Sequence, residues 1–464
     1  MLERQDFEKH SQLIIEWINN YYDNIRSYPV KSQVIPGDIY KQIPASLPLS
    51  GISLTEILHQ ATNVILPGIT HWQHPNFHAY FPANSSVESV FAEMITAAIG
   101  AQCMIWNTSP AAAELEERMM EWMRDAMGLP SNWEGVIQDT ASTATLVAII
   151  SAREKVTNFS SNEDGVRPGL RIYCSTQTHS SIEKAAVIAG IGRKNVIKIA
   201  VDEHQRMNPT LLDIQIKEDI KNGLTPCCVV TALGTTGTVA IDDISAISIV
   251  CNHHDIWHHV DAAYAGTALF LPEYQWMING LELADSFVFN PHKWLFTNFD
   301  CTAYYIKDAD HLIKCFEILP EYLKTKNRGE VNDYRDWGVP LGRRFRALKL
   351  WFVMNSYGLE GIQSKLRKHI TLNEYFSNFV SSNAHLHLAQ DPVLNFSCFY
   401  IKDDNLEKGN QKTQQLLEDV NTSGQAFLSH TIIDNRYVIR VVIGQTYVEQ
   451  EDVDHLISTI TEFT

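Results

Sequence analysis

Between residues 135 and 301, short unbroken apolar runs alternate with longer helical patterns. The runs are GVIQ, LRIYCS, CCVVTAL, DIWHHVDA and DSFVFN, with a helical stretch from Leu146 to Arg153 after the first of them. Runs with little polar alternation suit strands buried on both faces, so the pattern predicts an α/β protein with a mostly parallel sheet covered by helices. Ser109 followed by Pro110 predicts a helix start, the serine side chain taking up an orphan N–H. Leu115, Met119, Trp122, Met123 and Ala126 mark its expected apolar face, and Gly128 with Pro130 its end. Up to about Ile69, helical stretches are separated by Pro29, Pro36, Pro44, Pro48 and Pro67, which predicts an N-terminal arm or cap. Arg436 to Ile443 reads as a strand, and Val453, Leu456, Ile457, Ile460 and Phe463 as the stripe of a final amphipathic helix, together a small C-terminal α+β domain.

Composition narrows the possible partners. Asp and Glu outnumber Lys and Arg by 54 to 37, a formal charge of −17 that repels nucleic acid and anionic lipid surfaces, so a small-molecule substrate is expected. No apolar run reaches the length that spans a bilayer, and the opening MLERQDFEKH predicts no secretory signal. The eight cysteines lack CxxC spacing, which fits reduced thiols and a cytoplasmic location.

In an open α/β sheet ligands bind where strands end, so the residues after each apolar run are the first candidates. SFVFN leads into Pro291-His292-Lys293-Trp294; a lysine held on a rigid turn and partly desolvated can lose its proton and attack an aldehyde. The run ending at Asp261 puts a carboxylate among small residues, where it could pair with a protonated ring nitrogen. After CCVVTAL, Gly234-Thr235-Thr236-Gly237-Thr238 supplies a tight hydroxyl-rich turn, and Ser142 precedes a helical run whose N-terminal N–H groups suit a phosphate.

HVDAAYAG at 259–266, FNPHKWL at 289–295, THSS at 178–181, LGTT at 233–236, AYFP at 79–82 and PLGRRFR at 340–346 occur in one order along the chain. With them the sequence resembles the pyridoxal-5'-phosphate (PLP)-dependent group II decarboxylases, and among these the aromatic-L-amino-acid decarboxylases. The resemblance implies the aspartate-aminotransferase-like fold (fold type I) and a homodimer. Changes in pattern along the chain, read with that resemblance, predict an N-terminal helical dimerisation segment (1–85), a large PLP-binding domain (86–349) and a small C-terminal domain (350–464). The resemblance assigns Lys293 to the covalent attachment of PLP, Asp261 to the pyridine nitrogen, Ala263 and His179 to the two ring faces, and Thr236 to a place near His179. Ala141, Ser142, Asn290 and His292 correspond to the phosphate cradle, and Tyr322 to the proton donor for Cα. Trp72, Tyr80, Phe81, Pro82, Gln102, Met104, Phe299 and Gly342 correspond to the substrate pocket. Gln102 and Met104 stand where related animal enzymes carry apolar residues, and Gly342 where similar plant enzymes vary between Gly and Ser. Asp139 departs from the family, which has small neutral residues there.

The implied reaction is decarboxylation of an aromatic L-amino acid (tryptophan, 5-hydroxytryptophan, tyrosine, DOPA or phenylalanine) to an amine and CO2, with tryptophan or a hydroxylated relative favoured. Alternatives on the same scaffold are oxidative decarboxylation–deamination to an aldehyde, for which plant relatives resemble a Phe version of Tyr322, and decarboxylation of a non-aromatic amino acid. An aminotransferase or a PLP-free scaffold protein fits the residues less well. His253, His254, His258 and His259 invite a metal reading, but strand alternation separates the last two, and no metal is expected. Gly190-Ile191-Gly192 begins like a dinucleotide fingerprint, yet Asn195 replaces its third glycine in a helix-to-strand context, so NAD is not expected.

Overall fold

The computed structural model describes residues 4–318 and 330–464. It divides into two compact units, one built from residues 1–82 and 371–464, the other from 83–370.

The 83–370 unit holds seven strands: β1 (Glu134–Gln138), β2 (Leu170–Ser175), β3 (Val196–Ile199), β4 (Thr225–Ala232), β5 (Trp257–Asp261), β6 (Ser286–Phe289) and β7 (Thr302–Ile306). Their order is β1-β7-β6-β5-β4-β2-β3. The pairs β2/β3, β2/β4, β4/β5 and β5/β6 are parallel; β7 is antiparallel to both β6 and β1. All four residues of β6 and the last six of β4 are buried, the reason their sequences show no polar alternation. Helix Ala141–Thr157 lies across the sheet and buries Ala144, Val147, Ala148, Ile149 and Ala152 against it. Because β7 runs against its neighbours, β1 points the same way as β6. The carboxyl ends of β1, β2, β4, β5 and β6 therefore open onto one edge.

Two local expectations are corrected. Ser109 precedes helix Pro110–Met127, but its side chain makes no capping hydrogen bond. The buried face of that helix is Ala112, Ala113, Glu116, Met119, Met120, Met123 and Met127, whereas Trp122 is 41% exposed. Glu116 turns the helix inward because its carboxylate accepts the Ile137 N–H at 2.8 Å and pairs with the buried Arg343 guanidinium. An ion pair that distant in sequence leaves no periodic signature. Strands β3 and β7 were also not apparent from the pattern.

In the other unit, β8 (Leu386–Leu388), β9 (Phe396–Ile401), β10 (Ser429–Ile433) and β11 (Arg436–Val442) form an antiparallel sheet in the order β10-β11-β9-β8. Its core joins Phe399, Ile439 and Val441 to Leu416, Val420, Leu456 and Ile460 of helices Leu406–Ser423 and Gln450–Phe463. The N-terminal stretch is stitched to this sheet by backbone bonds from Val30 to Gly424, His78 to Phe427 and Val442 to His78, at 2.8, 2.9 and 3.0 Å.

Candidate active site

Four neighbouring parallel strands end at the shared edge, and each end delivers a candidate residue. β5 ends on Asp261, a half-buried carboxylate whose Oδ1 accepts the Ala263 N–H at 3.0 Å. The Ala263 carbonyl accepts the Asn290 N–H at 3.1 Å, and the Asn290 carbonyl accepts the Lys293 N–H at 3.0 Å. This relay fixes the turn after β6 to the end of β5 and leaves the Lys293 side chain half-buried. β4 leads into Gly234, whose φ of +91° and close approach to Ala265, 2.7 Å from where a Cβ would stand, both require glycine. Thr235 closes that turn by accepting the Ala240 N–H at 3.0 Å, which leaves Thr236 exposed at its tip.

β2 ends two residues before Gln177, and the chain then presents His179. Its Nδ1 accepts the Ser181 N–H at 3.1 Å, so the neutral ring carries its proton on Nε2. Desolvation is the main influence lowering its pKa, with Lys293 acting in the same direction and Asp261 opposing both. The imidazole thus feels the two charged groups at the neighbouring strand ends.

A cup of donors forms at the end of β1. Thr140 caps helix Ala141–Thr157 by accepting the Thr143 N–H at 3.4 Å, while the N–H groups of Ala141 and Ser142 point from the first turn with no acceptor among the described residues. The Asn290 side-chain amide lies 2.7 Å from the Thr302 hydroxyl, which fixes its orientation at the end of β6. His292 Nδ1 accepts the Cys301 N–H at 3.0 Å, and burial first, then Lys293, pushes its pKa down to about 3. A neutral His292 therefore offers an Nε2–H donor. The departure at Asp139 is accommodated locally: its carboxylate is turned onto the Thr140 N–H at 2.6 Å.

The substrate-pocket candidates fall in both units. Within the first, Trp72, Phe77, Tyr80 and Phe427 form an aromatic cluster with centroid separations of 4.4 to 5.9 Å, and Arg440 lies 5.4 Å from the Phe81 ring. Pro82, the last residue of that N-terminal stretch, is buried. Within the other, Phe299 packs edge-on to His292 at 4.7 Å, and Gln102, Met104 and Gly342 gather around the Arg343 backbone and Arg335. Tyr322 lies outside the described residues. His258 bonds to Thr231 and Ser248, whereas His259 bonds to Ser286, so the adjacent imidazoles have separate polar partners. Sequence reasoning missed Thr302 and the Asp300–Arg346 pair, whose contacts at 2.9 and 3.2 Å brace the chain behind His292.

The donor cup suits a phosphate, Lys293 an aldehyde, and Asp261 a protonated ring nitrogen. One small molecule presents all three groups, and both fold and site are those of a PLP enzyme. The chain belongs to the pyridoxal-dependent decarboxylases: residues 36–402 match the family described as "Pyridoxal-dependent decarboxylase conserved domain". It is a PLP-dependent amino-acid decarboxylase of that family. It is 39% identical to phenylacetaldehyde synthase of Arabidopsis thaliana, covering 99% of this chain and 96% of the relative. It is also 39% identical to tyrosine decarboxylase 2 of Narcissus pseudonarcissus, covering 97% and 92%. The crystal structure of Oryza sativa TDC with PLP and tryptamine superposes with a TM-score of 0.96 at 32% identity, covering 99% of each chain.

Proposed function

We propose that this protein decarboxylates an aromatic L-amino acid to the corresponding amine and CO2. Full-length similarity to enzymes of tyrosine and other aromatic amino acids carries the reading, on a chain that brings His179, Asp261 and Lys293 to one sheet edge. PLP, when bound, supplies an electron sink for the charge left on Cα as CO2 departs. Lys293 would hold the cofactor covalently, and the N–H groups of Ala141 and Ser142 with Asn290 and His292 would hold its phosphate. Asp261 keeps a proton on the ring nitrogen. His179, fixed by the Ser181 N–H, would hold one face of the cofactor ring and Ala263 the other, with Thr236 beside His179, as the resemblance implies. The resemblance assigns Trp72, Tyr80, Phe81, Pro82, Gln102, Met104, Phe299 and Gly342 to the substrate side chain.

The resemblance assigns reprotonation of Cα to Tyr322. Similarity to phenylacetaldehyde synthase supports a second outcome, in which O2 and water yield an aldehyde, CO2, ammonia and hydrogen peroxide. Incubation with a panel of aromatic, acidic and aliphatic amino acids tests both readings. Equimolar CO2 and amine from an aromatic substrate is expected, and Tyr322→Phe should divert turnover toward aldehyde and peroxide. Aldehyde and peroxide as the main wild-type products would establish the second outcome. Borohydride reduction and peptide mapping should place a pyridoxyl group on Lys293; a label on another lysine would remove that assignment.

The active form is proposed to be a homodimer. Ile35, Tyr40, Leu47 and Leu49 are 67%, 83%, 89% and 106% exposed in one unit, and helix Val87–Ile99 of the other leaves Phe91, Ile95 and Ile99 at 48%, 42% and 60%. Exposed apolar side chains of this kind, on each unit, support association of two chains. Light scattering on the PLP-loaded protein should give twice the chain mass. All eight cysteines are buried and free, which suits a reducing compartment, and the cytoplasm is the proposed location.

A further inference from the structure

One end of the Gln102 amide is committed and the other is not. Its Oε1 accepts the Arg343 N–H at 2.7 Å, which identifies the oxygen, because an N–H cannot face the amide NH2. The Cys103 N–H donates to the Arg343 carbonyl at 3.1 Å, so segments 102–103 and 342–343 run side by side. Behind them the buried Arg343 guanidinium pairs with Glu116, donates to the Ile137 carbonyl at 2.7 Å and covers the Tyr334 ring at 4.9 Å. The amide is therefore mounted on a braced backbone.

Its Nε2 has no acceptor among the described residues. A Cβ at Gly342 would stand 3.3 Å from that nitrogen, and both residues are exposed. Gly342 does not have a positive φ, so its backbone would accept a side chain. What glycine provides here is access to Nε2.

We propose that Gln102 is a specificity-determining residue, whose Nε2–H donates to a hydroxyl oxygen on the substrate's aromatic ring while Gly342 keeps that donor open. The inference rests on the reading that Gln102 and Gly342 border the substrate side chain. With Oε1 occupied, the amide offers only a donor. A hydroxylated ring satisfies it and an unsubstituted ring leaves it unpaired. The enzyme then favours 5-hydroxytryptophan over tryptophan and tyrosine over phenylalanine, by about three- to tenfold for one neutral hydrogen bond.

A serine at 342 would bring its hydroxyl beside Nε2 and satisfy the donor internally. Gly342→Ser and Gln102→Met should thus act through the same bond. The experiment measures kcat/KM for both substrate pairs in PLP-saturated wild type, Gln102→Met, Gly342→Ser and the double variant. Gly342→Ser leaves the Gln102–Arg343 bond in place, so it remains informative if Gln102→Met folds poorly. The expected result is a hydroxyl preference in wild type that falls about three- to tenfold in each single variant and no further in the double. Aromatic turnover with no wild-type preference, or with a ratio unchanged in the variants, would overturn the inference alone. Turnover confined to non-aromatic amino acids would overturn the substrate reading beneath it as well.

Discussion

The Thr302 hydroxyl lies 2.7 Å from Asn290 Oδ1 and 3.1 Å from the Asp139 carbonyl, joining the turn after β6 to the end of β1. Those two ends carry opposite sides of the proposed phosphate cup, and Thr302 stands on β7, the antiparallel strand between them. Thr302→Val keeps the shape and removes the bridge, leaving the Asn290 amide and the Asp139 carbonyl without that hydroxyl. Stability should fall by about 1–3 kcal/mol, read as a lower urea midpoint, and the dissociation constant for PLP should rise in an absorbance titration.

Asp261→Asn should retain PLP, because the phosphate donors and Lys293 are untouched. Its kcat should fall about 10²–10³-fold, the scale seen when one preorganised polar contact to a reacting system is removed. Cofactor content after gel filtration, measured beside kcat, separates this outcome from simple loss of PLP. A near-normal kcat would take Asp261 out of its role.

Asp139 brings a negative charge to the residue before the helix cap, beside the cup proposed for a phosphate dianion. Asp139→Asn keeps an acceptor for the Thr140 N–H and removes the charge. PLP should bind about two- to fivefold more tightly, the size of a hydrated like-charge contact, while pyridoxal, which lacks the phosphate, should bind unchanged. An equal gain for both ligands would mean that Asp139 acts through the fold and not through charge.

His258, His259 and His292 are buried, and burial pushes each pKa down to about 3. In the unfolded chain histidine titrates near 6.5, so below that pH the unfolded state binds protons that the native state refuses. Their stabilising contribution is complete above about pH 6.5 and is lost as pH falls toward 3, by about 2 kcal/mol per histidine between 6.5 and 5. Asp242, pushed up to about 6 by burial, works in the opposite direction and offsets part of the loss. Urea midpoints at pH 7 and pH 5 should therefore differ, with the lower value at pH 5. Equal midpoints would show that these imidazoles are not held neutral.

The sequence alone determined the features that rest on short-range regularity. Continuous apolar runs marked β2, β4, β5 and β6 because strands covered on both faces have no solvent side to show. Ligand chemistry sits at strand ends, so the same runs pointed to Asp261 and Lys293, while His179 came from the family resemblance. Tertiary structure alone decided the rest. Glu116 rotates the buried face of its helix because Arg343, 227 residues away, supplies the opposite charge. Thr302 joins two strand ends because β7 reverses direction between β6 and β1. Gln102 keeps one amide end without a partner among the described residues because the Arg343 N–H occupies the other. Each of these is a contact between distant segments, and burial and hydrogen bonding at such contacts are settled only when the chain closes on itself.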